Sequence, residues 1–175
     1  MAYSRRWLPT DSIKLKIMKK FLLLISLMCI FVQSGFAQNN SIKNYQKGDW
    51  KALTKLYADQ ALIVHFWGVT CAPCAKEMPQ WGKFLSKNKN AKVIFIQVDD
   101  VPPESTVKML SSGGLAGINA YTLGSPFDDA LRYEIDPKWR GETPMTLLIN
   151  KNGKVIRKTG TMDFDKLKQW YLIST

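Results

Sequence analysis

Two cysteines separated by only two residues, Cys71 and Cys74, have the clearest capacity for chemistry in this chain. A thiolate attacks a disulfide sulfur to form a mixed disulfide, which a second nearby thiol then resolves. The pair follows an apolar segment of strand length and opens a segment with helical character. Because the first turn of a helix presents unpaired N–H groups and partial positive charge, it stabilises a thiolate. We therefore expect Cys71 to be the exposed nucleophile and Cys74, one turn further on, to be shielded and to resolve the intermediate.

Other uses of two cysteines are poorly supported by the rest of the sequence. A structural zinc site needs about four ligands, and the chain has three cysteines and one histidine. Attachment of a c-type haem needs a histidine directly after the second cysteine, where Ala75 stands. A purely structural disulfide would close a very short loop and gain little chain entropy. Two alternatives stay open: a Cu(I)-binding module that uses the two soft thiolates, and a redox-inert domain that uses its fold for protein contacts. We predict no metal and no cofactor for the favoured interpretation.

The N-terminal segment has the organisation of a secretory signal peptide. Lys19 and Lys20 precede an apolar run over residues 21–32, and the small residues before the expected cleavage point end at Ala37. This run is too short to span a bilayer as a stable helix, although an uncleaved N-terminal anchor is an alternative. Met18 opens the signal in the usual way, so residues 1–17 form an upstream extension. We divide the chain into this extension plus signal peptide, residues 1–37, and one domain, residues 38–175.

The remaining sequence predicts an α/β domain around the cysteines. The composition, 46% hydrophobic and 22% charged, is that of an ordinary globular chain. Apolar runs predict central strands at 61–67 and 91–98, and Asn152-Gly153 predicts a hairpin between strands at 145–149 and 154–156. Helices are expected after a cap at Asp49, over 71–86, 104–110 and 126–134 with Pro126 in the first turn, and after a cap at Asp163. The polar residues 38–47 are interpreted as a loose lead-in.

Three segments resemble the thioredoxin superfamily and, within it, the exported TlpA/ResA-type thiol–disulfide oxidoreductases. Residues 64–67, VHFW, resemble the central strand of that family, and residues 71–79, CAPCAKEMP, match its CxxCxxEMP pattern. Residues 143–153, TPMTLLINKNG, are similar to its PTTxLIDxxG segment, and the stretch between Val98 and Thr143 matches the insertion that separates this subfamily from minimal thioredoxin. The resemblance implies a thioredoxin-like fold, a central mixed β-sheet flanked by helices, with a cis bond before Pro144.

The resemblance also implies roles for the residues around the cysteines. Cys71 and Cys74 are the catalytic pair, and four further residues line or support the groove for the substrate: Trp67, Pro73, Thr143 and Pro144. The backbone of Thr143 would pair with a substrate strand, as in β-augmentation. The alternatives are a plain core tryptophan at position 67 and an ordinary strand-entry proline at position 144.

His65 and Glu77 are candidates for a proton relay. His65 lies six positions before Cys71, where thioredoxin has a buried acid, and a neutral imidazole there would help to move the proton of Cys74. Glu77 lies one turn after Cys74 and would accept that proton. The alternatives are a satisfied core histidine and a solvent-facing helix glutamate. Trp139 and Arg140 either line the groove beside Cys71 or lie in a solvated loop.

These features predict an exported oxidoreductase that reduces protein disulfides in the periplasm or cell envelope; a disulfide oxidant is the alternative. Its expected partners are disulfide-containing proteins and a membrane or periplasmic thiol that donates electrons. No nucleic-acid partner is expected, because the lysines between residues 83 and 92 have no aromatic stacking platform beside them. Contact with a membrane is expected only through the N-terminal segment, if that segment stays uncleaved.

Overall fold

The structure is a computed structural model, and it describes residues 42–174. The predicted signal peptide and the division after residue 37 lie outside the described residues. Between residues 42 and 174, none of the helices is long and apolar enough to cross a membrane.

A six-stranded mixed sheet forms the centre of the domain. The strands are β1 (Lys43–Tyr45), β2 (Leu62–Trp67), β3 (Lys92–Gln97), β4 (Ala120–Leu123), β5 (Met145–Ile149) and β6 (Val155–Thr159). They lie in the order β1-β4-β3-β2-β5-β6. The four strands from β1 to β2 are parallel to one another, whereas β5 and β6 are antiparallel to their neighbours. This arrangement confirms the predicted α/β, thioredoxin-like fold.

Helices cover both faces of this sheet. They are α1 (Asp49–Leu56), α2 (Ala72–Lys87), α3 (Pro103–Ser112), α4 (Asp129–Ile135) and α5 (Phe164–Ser174). One buried cluster contains apolar residues of α1 and α4, and the other contains those of α2, α3 and α5. Because β2 lies between the two clusters, Val64 and Phe66 belong to one and Ile63 and Trp67 to the other. The unbroken apolar run of this strand is therefore a consequence of burial on both faces.

Two of the six strands were not predicted from the sequence. Strand β1 lies in the segment interpreted as a loose lead-in, and β4 follows a glycine-rich turn. Edge strand β1 has only three residues, of which Tyr45 alone is buried, so it has no alternating apolar pattern. Both strands depend on pairing with the sheet, because β1 pairs with β4 and β4 pairs with β3.

The sequence predicted residues at the N-termini of three helices, α1, α4 and α5, and the structure agrees with one of these predictions. Asp163 accepts hydrogen bonds from two backbone N–H groups in the first turn of α5, so that cap is confirmed. Pro126 lies before α4, and Asp128 caps that helix, so the prediction of Pro126 in its first turn is wrong. Asp49 lies inside α1 and does not cap it. Instead the carboxylate of Glu134, on α4, accepts from two N–H groups at the start of α1, 2.8 and 3.1 Å away.

Candidate active site

Cys71 and Cys74 lie where the central strand passes into a helix. They form a disulfide with their Cα atoms 5.2 Å apart. Cys71 is the N-cap residue of α2, and its Sγ accepts a hydrogen bond from the backbone N–H of Cys74 at 3.3 Å. Cys71 is half-buried, whereas Cys74 is completely buried. The arrangement agrees with the predicted roles, because the first sulfur is reachable and the second is shielded.

The loop that leads to Cys71 is held by one carboxylate. Asp99 accepts hydrogen bonds from the backbone N–H groups of Val69 and Thr70, at 2.9 and 2.7 Å, and from the Thr70 hydroxyl at 2.9 Å. Partial burial acts to raise the pKa of this carboxyl. The hydrogen bonds from Thr70, Val69 and Gln97 outweigh burial, so the Asp99 pKa is lowered.

The Thr143–Pro144 peptide bond is cis, as the resemblance implied. Strand β5 begins directly after it, and Met145 pairs with Phe66 in the antiparallel register of β2 and β5. The cis bond therefore lies beside the end of β2, at the same edge of the sheet as the cysteines. Within residues 42–174, no backbone hydrogen bond is formed by Thr143.

Trp67 and Pro73 differ in their exposure to solvent. Trp67 is completely buried and belongs to the same cluster as Cys74. Its indole N–H has no hydrogen-bond partner in the described part of the chain. Pro73 is exposed in the first turn of α2. Of these two groove candidates, Pro73 is open to a partner, whereas Trp67 supports the site from within.

His65 and Glu77 meet in the interior, which the sequence did not show. His65 Nε2 lies 3.1 Å from Glu77 Oε1, although the two atoms are not aligned for a hydrogen bond. His65 Nδ1 lies 2.9 Å from the hydroxyl oxygen of Thr146, its register partner on β5. The Glu77 carboxylate accepts from the Trp81 indole N–H at 3.0 Å and from the Met162 backbone N–H at 2.9 Å.

Burial shifts the pKa values of both groups toward their neutral forms. His65 is completely buried, and this lowers its pKa to about 3. Burial raises the pKa of Glu77, and its hydrogen bonds from Met162 and Trp81 act in the opposite direction. The interpretation of Glu77 as a solvent-facing glutamate is wrong, because its side chain is only 2% exposed. A glutamate on this face of α2 is instead a buried acceptor one turn beyond Cys74.

Trp139 does not line a groove beside Cys71. It is buried, its ring centroid lies 4.7 Å from that of Phe66, and its indole N–H donates to the Glu142 carbonyl at 2.9 Å. Trp139 is therefore a core residue and neither of the two predicted alternatives. Arg140, directly after it, is exposed.

Sequence reasoning missed Asp99, which accepts hydrogen bonds from the loop before Cys71, and Thr146, which contacts the predicted site residue His65. The signal for Asp99 was its position directly after a buried strand, because parallel neighbouring strands end at the same edge of a sheet. Thr146 carried no comparable signal, since its contact with His65 depends on the antiparallel register of β5.

Comparison with known proteins agrees with this geometry. The chain is 32% identical over 106 residues to the thiol-disulfide oxidoreductase ResA of Halalkalibacterium halodurans, covering 59% of this chain and 56% of that protein. It is 29% identical over 113 residues to the sporulation thiol-disulfide oxidoreductase A of Bacillus subtilis, covering 63% and 66%. The chain thus spans less than two thirds of the length of these relatives.

A solved structure has the same fold at low sequence identity. A secreted Mycobacterium tuberculosis disulfide oxidoreductase superposes with a TM-score of 0.54 and 16% identity, covering 68% of this chain and 85% of the other. These relatives agree with the TlpA/ResA-type resemblance that the motifs indicated. The Redoxin family model matches residues 35–167, and with this match over most of its length the chain belongs to the Redoxin family.

Proposed function

We propose that this protein catalyses thiol–disulfide exchange and reduces disulfides in other proteins. One observation carries the proposal: a reachable cysteine at the N-terminus of α2 is bonded to a buried cysteine one turn further on. The helix N-terminus stabilises the Cys71 thiolate, which is the attacking species. Thiol–disulfide oxidoreductases among the relatives support the same chemistry.

The reaction passes through one covalent intermediate. The Cys71 thiolate attacks one sulfur of the substrate disulfide, forms a mixed disulfide and expels the other sulfur as a thiolate. The Cys74 thiolate then attacks Cys71 Sγ, which forms the Cys71–Cys74 disulfide and releases the second substrate thiolate. Two electrons pass from the protein dithiol to the substrate, and an external thiol must return them. Thr143, next to the cis Pro144, pairs with the substrate backbone, and exposed Pro73 contributes to the rim.

Cys74 must lose a proton before it can attack, and we propose that Glu77 accepts it. Residues three apart on a helix are neighbours, so Glu77 lies next to Cys74 on the inner side of α2. Its raised pKa makes the carboxylate a stronger base than an ordinary glutamate. His65 is neutral, and its Nε2 lies 3.1 Å from Glu77 Oε1.

Single-cysteine variants test the proposed chemistry. Cys71→Ser abolishes insulin reduction, whereas Cys74→Ser still attacks and accumulates a mixed disulfide that is visible on a non-reducing gel. If Cys71→Ser keeps its cellular function, the domain is redox-inert. A Cu(I) titration runs beside the assay, and tight Cu(I) binding without disulfide reduction identifies a copper-binding module.

The relay is tested by the rate of resolution. Glu77→Gln slows release of substrate from the mixed disulfide by roughly 100-fold, at the lower end of the range of general base catalysis, and leaves the attack by Cys71 unchanged. Lys76→Gln, an exposed neighbour on the same helix, serves as the matched control. Equal resolution rates in both variants would remove Glu77 from the mechanism.

The direction of electron flow is tested by the reduction potential of the cysteine pair. A reductant is expected near the value of thioredoxin, about −270 mV, and an oxidant near that of DsbA, about −120 mV. The CxPC motif and the ResA-type relatives favour the reductant.

We propose that the protein works outside the cytoplasm, in the periplasm or cell envelope. The signal-peptide pattern of residues 19–37 supports this location, and the mycobacterial neighbour is a secreted protein. A thiol carrier of the membrane or periplasm then supplies the electrons. N-terminal sequencing of the envelope fraction should find a mature chain that begins at Gln38; recovery of uncleaved protein from the cytoplasm would contradict the proposal.

A further inference from the structure

We propose that Asp99 is a positioning residue for the nucleophile: it holds the loop of residues 68–70 so that Cys71 Sγ stays over the first turn of α2. The inference rests on the proposed function, because it concerns the reactivity of the same cysteine. Asp99 would act only through the loop and would not contact the substrate sulfur.

The topology brings Asp99 to the loop from another part of the chain. Strands β2 and β3 are parallel and paired up to Trp67 and Gln97, so the segments that follow them leave the sheet at the same edge. The pairing continues one step further, because the Val98 N–H donates to the Trp67 carbonyl at 2.9 Å. Asp99 is the next residue, and it faces the loop that carries Cys71.

The contacts engage both oxygens of the carboxylate. Oδ1 accepts from the Val69 N–H and from the Gln97 side-chain amide, and Oδ2 accepts from both the N–H and the hydroxyl of Thr70. An ionised carboxylate only accepts hydrogen bonds and suits four converging donors, three of which come from the loop. Among residues 42–174 it forms no ion pair. Its charge is therefore stabilised by hydrogen bonds from the loop and from Gln97 rather than by a lysine or arginine.

Gly68 allows the loop backbone to lie close to the Asp99 carboxylate. A Cβ added to Gly68 would lie 3.1 Å from both Cγ and Oδ2 of Asp99. This distance is tighter than an ordinary van der Waals contact, so a side chain at position 68 would push the carboxylate away from its donors. Gly68 and Asp99 thus form one tightly packed unit.

The position of the nucleophile depends on this unit. The Cys71 N–H donates to the Gly68 carbonyl at 3.4 Å, and Cys71 has the extended backbone of an N-cap residue. That conformation directs its Sγ toward the Cys74 N–H at 3.3 Å. Loosening of the loop would move the sulfur away from the N–H groups that stabilise its thiolate, and the Cys71 thiol would become less acidic.

Two kinds of variant separate positioning from simple electrostatics. Thr70→Val removes one donor and leaves all charges in place, whereas Thr70→Ser keeps the hydroxyl. Asp99→Asn removes a negative charge from the loop before Cys71, and the loss of its Coulomb repulsion would by itself favour the thiolate and raise its reactivity. Positioning predicts the opposite, a lower reactivity, because the amide presents an N–H group to the N–H donors of the loop. Asp100→Asn, at the exposed neighbouring position, is the matched charge control.

The experiment measures the rate of Cys71 alkylation by iodoacetamide against pH in the reduced full-length protein. We expect Thr70→Val and Asp99→Asn to lower the rate at pH 7 by up to about tenfold, the factor that corresponds to one hydrogen bond to a charged group. The midpoint of each profile should move to higher pH, whereas Thr70→Ser and Asp100→Asn match the wild type. A structural role alone would lower the unfolding midpoint and leave the alkylation profile unmoved.

The inference is overturned if Thr70→Val has the wild-type profile, or if Asp99→Asn becomes more reactive. Should Asp99→Asn fail to fold, the comparison of Thr70→Val with Thr70→Ser decides alone, since Thr70 is exposed. Failure of the proposed function looks different. In that case the wild type itself has a Cys71 thiol of ordinary acidity, with a pKa of about 8.5, and does not reduce disulfides.

Discussion

Acid titration tests the charge state of the buried His65. This residue is the only histidine in the chain, and burial lowers its pKa to about 3 in the folded protein. In the unfolded chain its pKa is about 6.5. Between these two values the unfolded state binds a proton that the folded state does not. The stability that depends on neutral His65 is therefore complete above pH 6.5 and is lost as the pH falls toward 3.

The expected loss follows from these two pKa values. Each pH unit below the unfolded pKa costs about 1.4 kcal/mol, so acidification from pH 7 to pH 5 removes about 2 kcal/mol of unfolding free energy through His65. Glu77 acts in the opposite direction, because burial raises its pKa and protonation then stabilises the folded state. Comparison with His65→Gln, made in both the wild-type and the Glu77→Gln background, separates the two contributions.

Urea unfolding of the oxidised protein, followed by tryptophan fluorescence at pH 7 and pH 5, measures this loss. The wild type should lose about 2 kcal/mol more than His65→Gln over this range. Equal losses in the two proteins, or a gain in the wild type, would mean that folded His65 keeps its proton as an ion pair with Glu77. The account of a neutral histidine beside a basic glutamate would then be refuted.

Three further substitutions test the packing around the site. Gly82→Ala should lower the unfolding free energy by about 1–3 kcal/mol in urea unfolding, because the added Cβ would lie 2.1 Å from the Gly113 carbonyl oxygen. An unchanged unfolding midpoint would show that α2 and α3 can move apart without cost. Asp163→Ala should lower the urea-unfolding midpoint through loss of the α5 cap, whereas Asp163→Ser should restore most of it; equal losses would argue against capping. Trp139→Ala should cost roughly 3–5 kcal/mol as a large buried ring is lost, and a loss below 1 kcal/mol would contradict its place in the core.

The sequence predicted the central elements because their signals are local. The apolar run that became β2 and the hairpin around Asn152-Gly153 can be read from neighbouring residues alone. Strand β6 begins and ends later than predicted, at Val155–Thr159 rather than residues 154–156. All five of its residues are exposed, so no burial pattern marked its true end.

The sequence by itself determined the chemistry of the site and the elements that carry it. Two cysteines at this spacing, after an apolar strand and at the start of a helix, are sufficient to predict an attacking and a resolving thiol. Only the tertiary structure decided which groups surround them. Asp99 meets Thr70, His65 meets Glu77 and Thr146, and Trp139 joins the core because strand pairing brings together residues that are distant along the chain. Such contacts follow from the register and the packing of the whole sheet, which no local pattern of residues specifies.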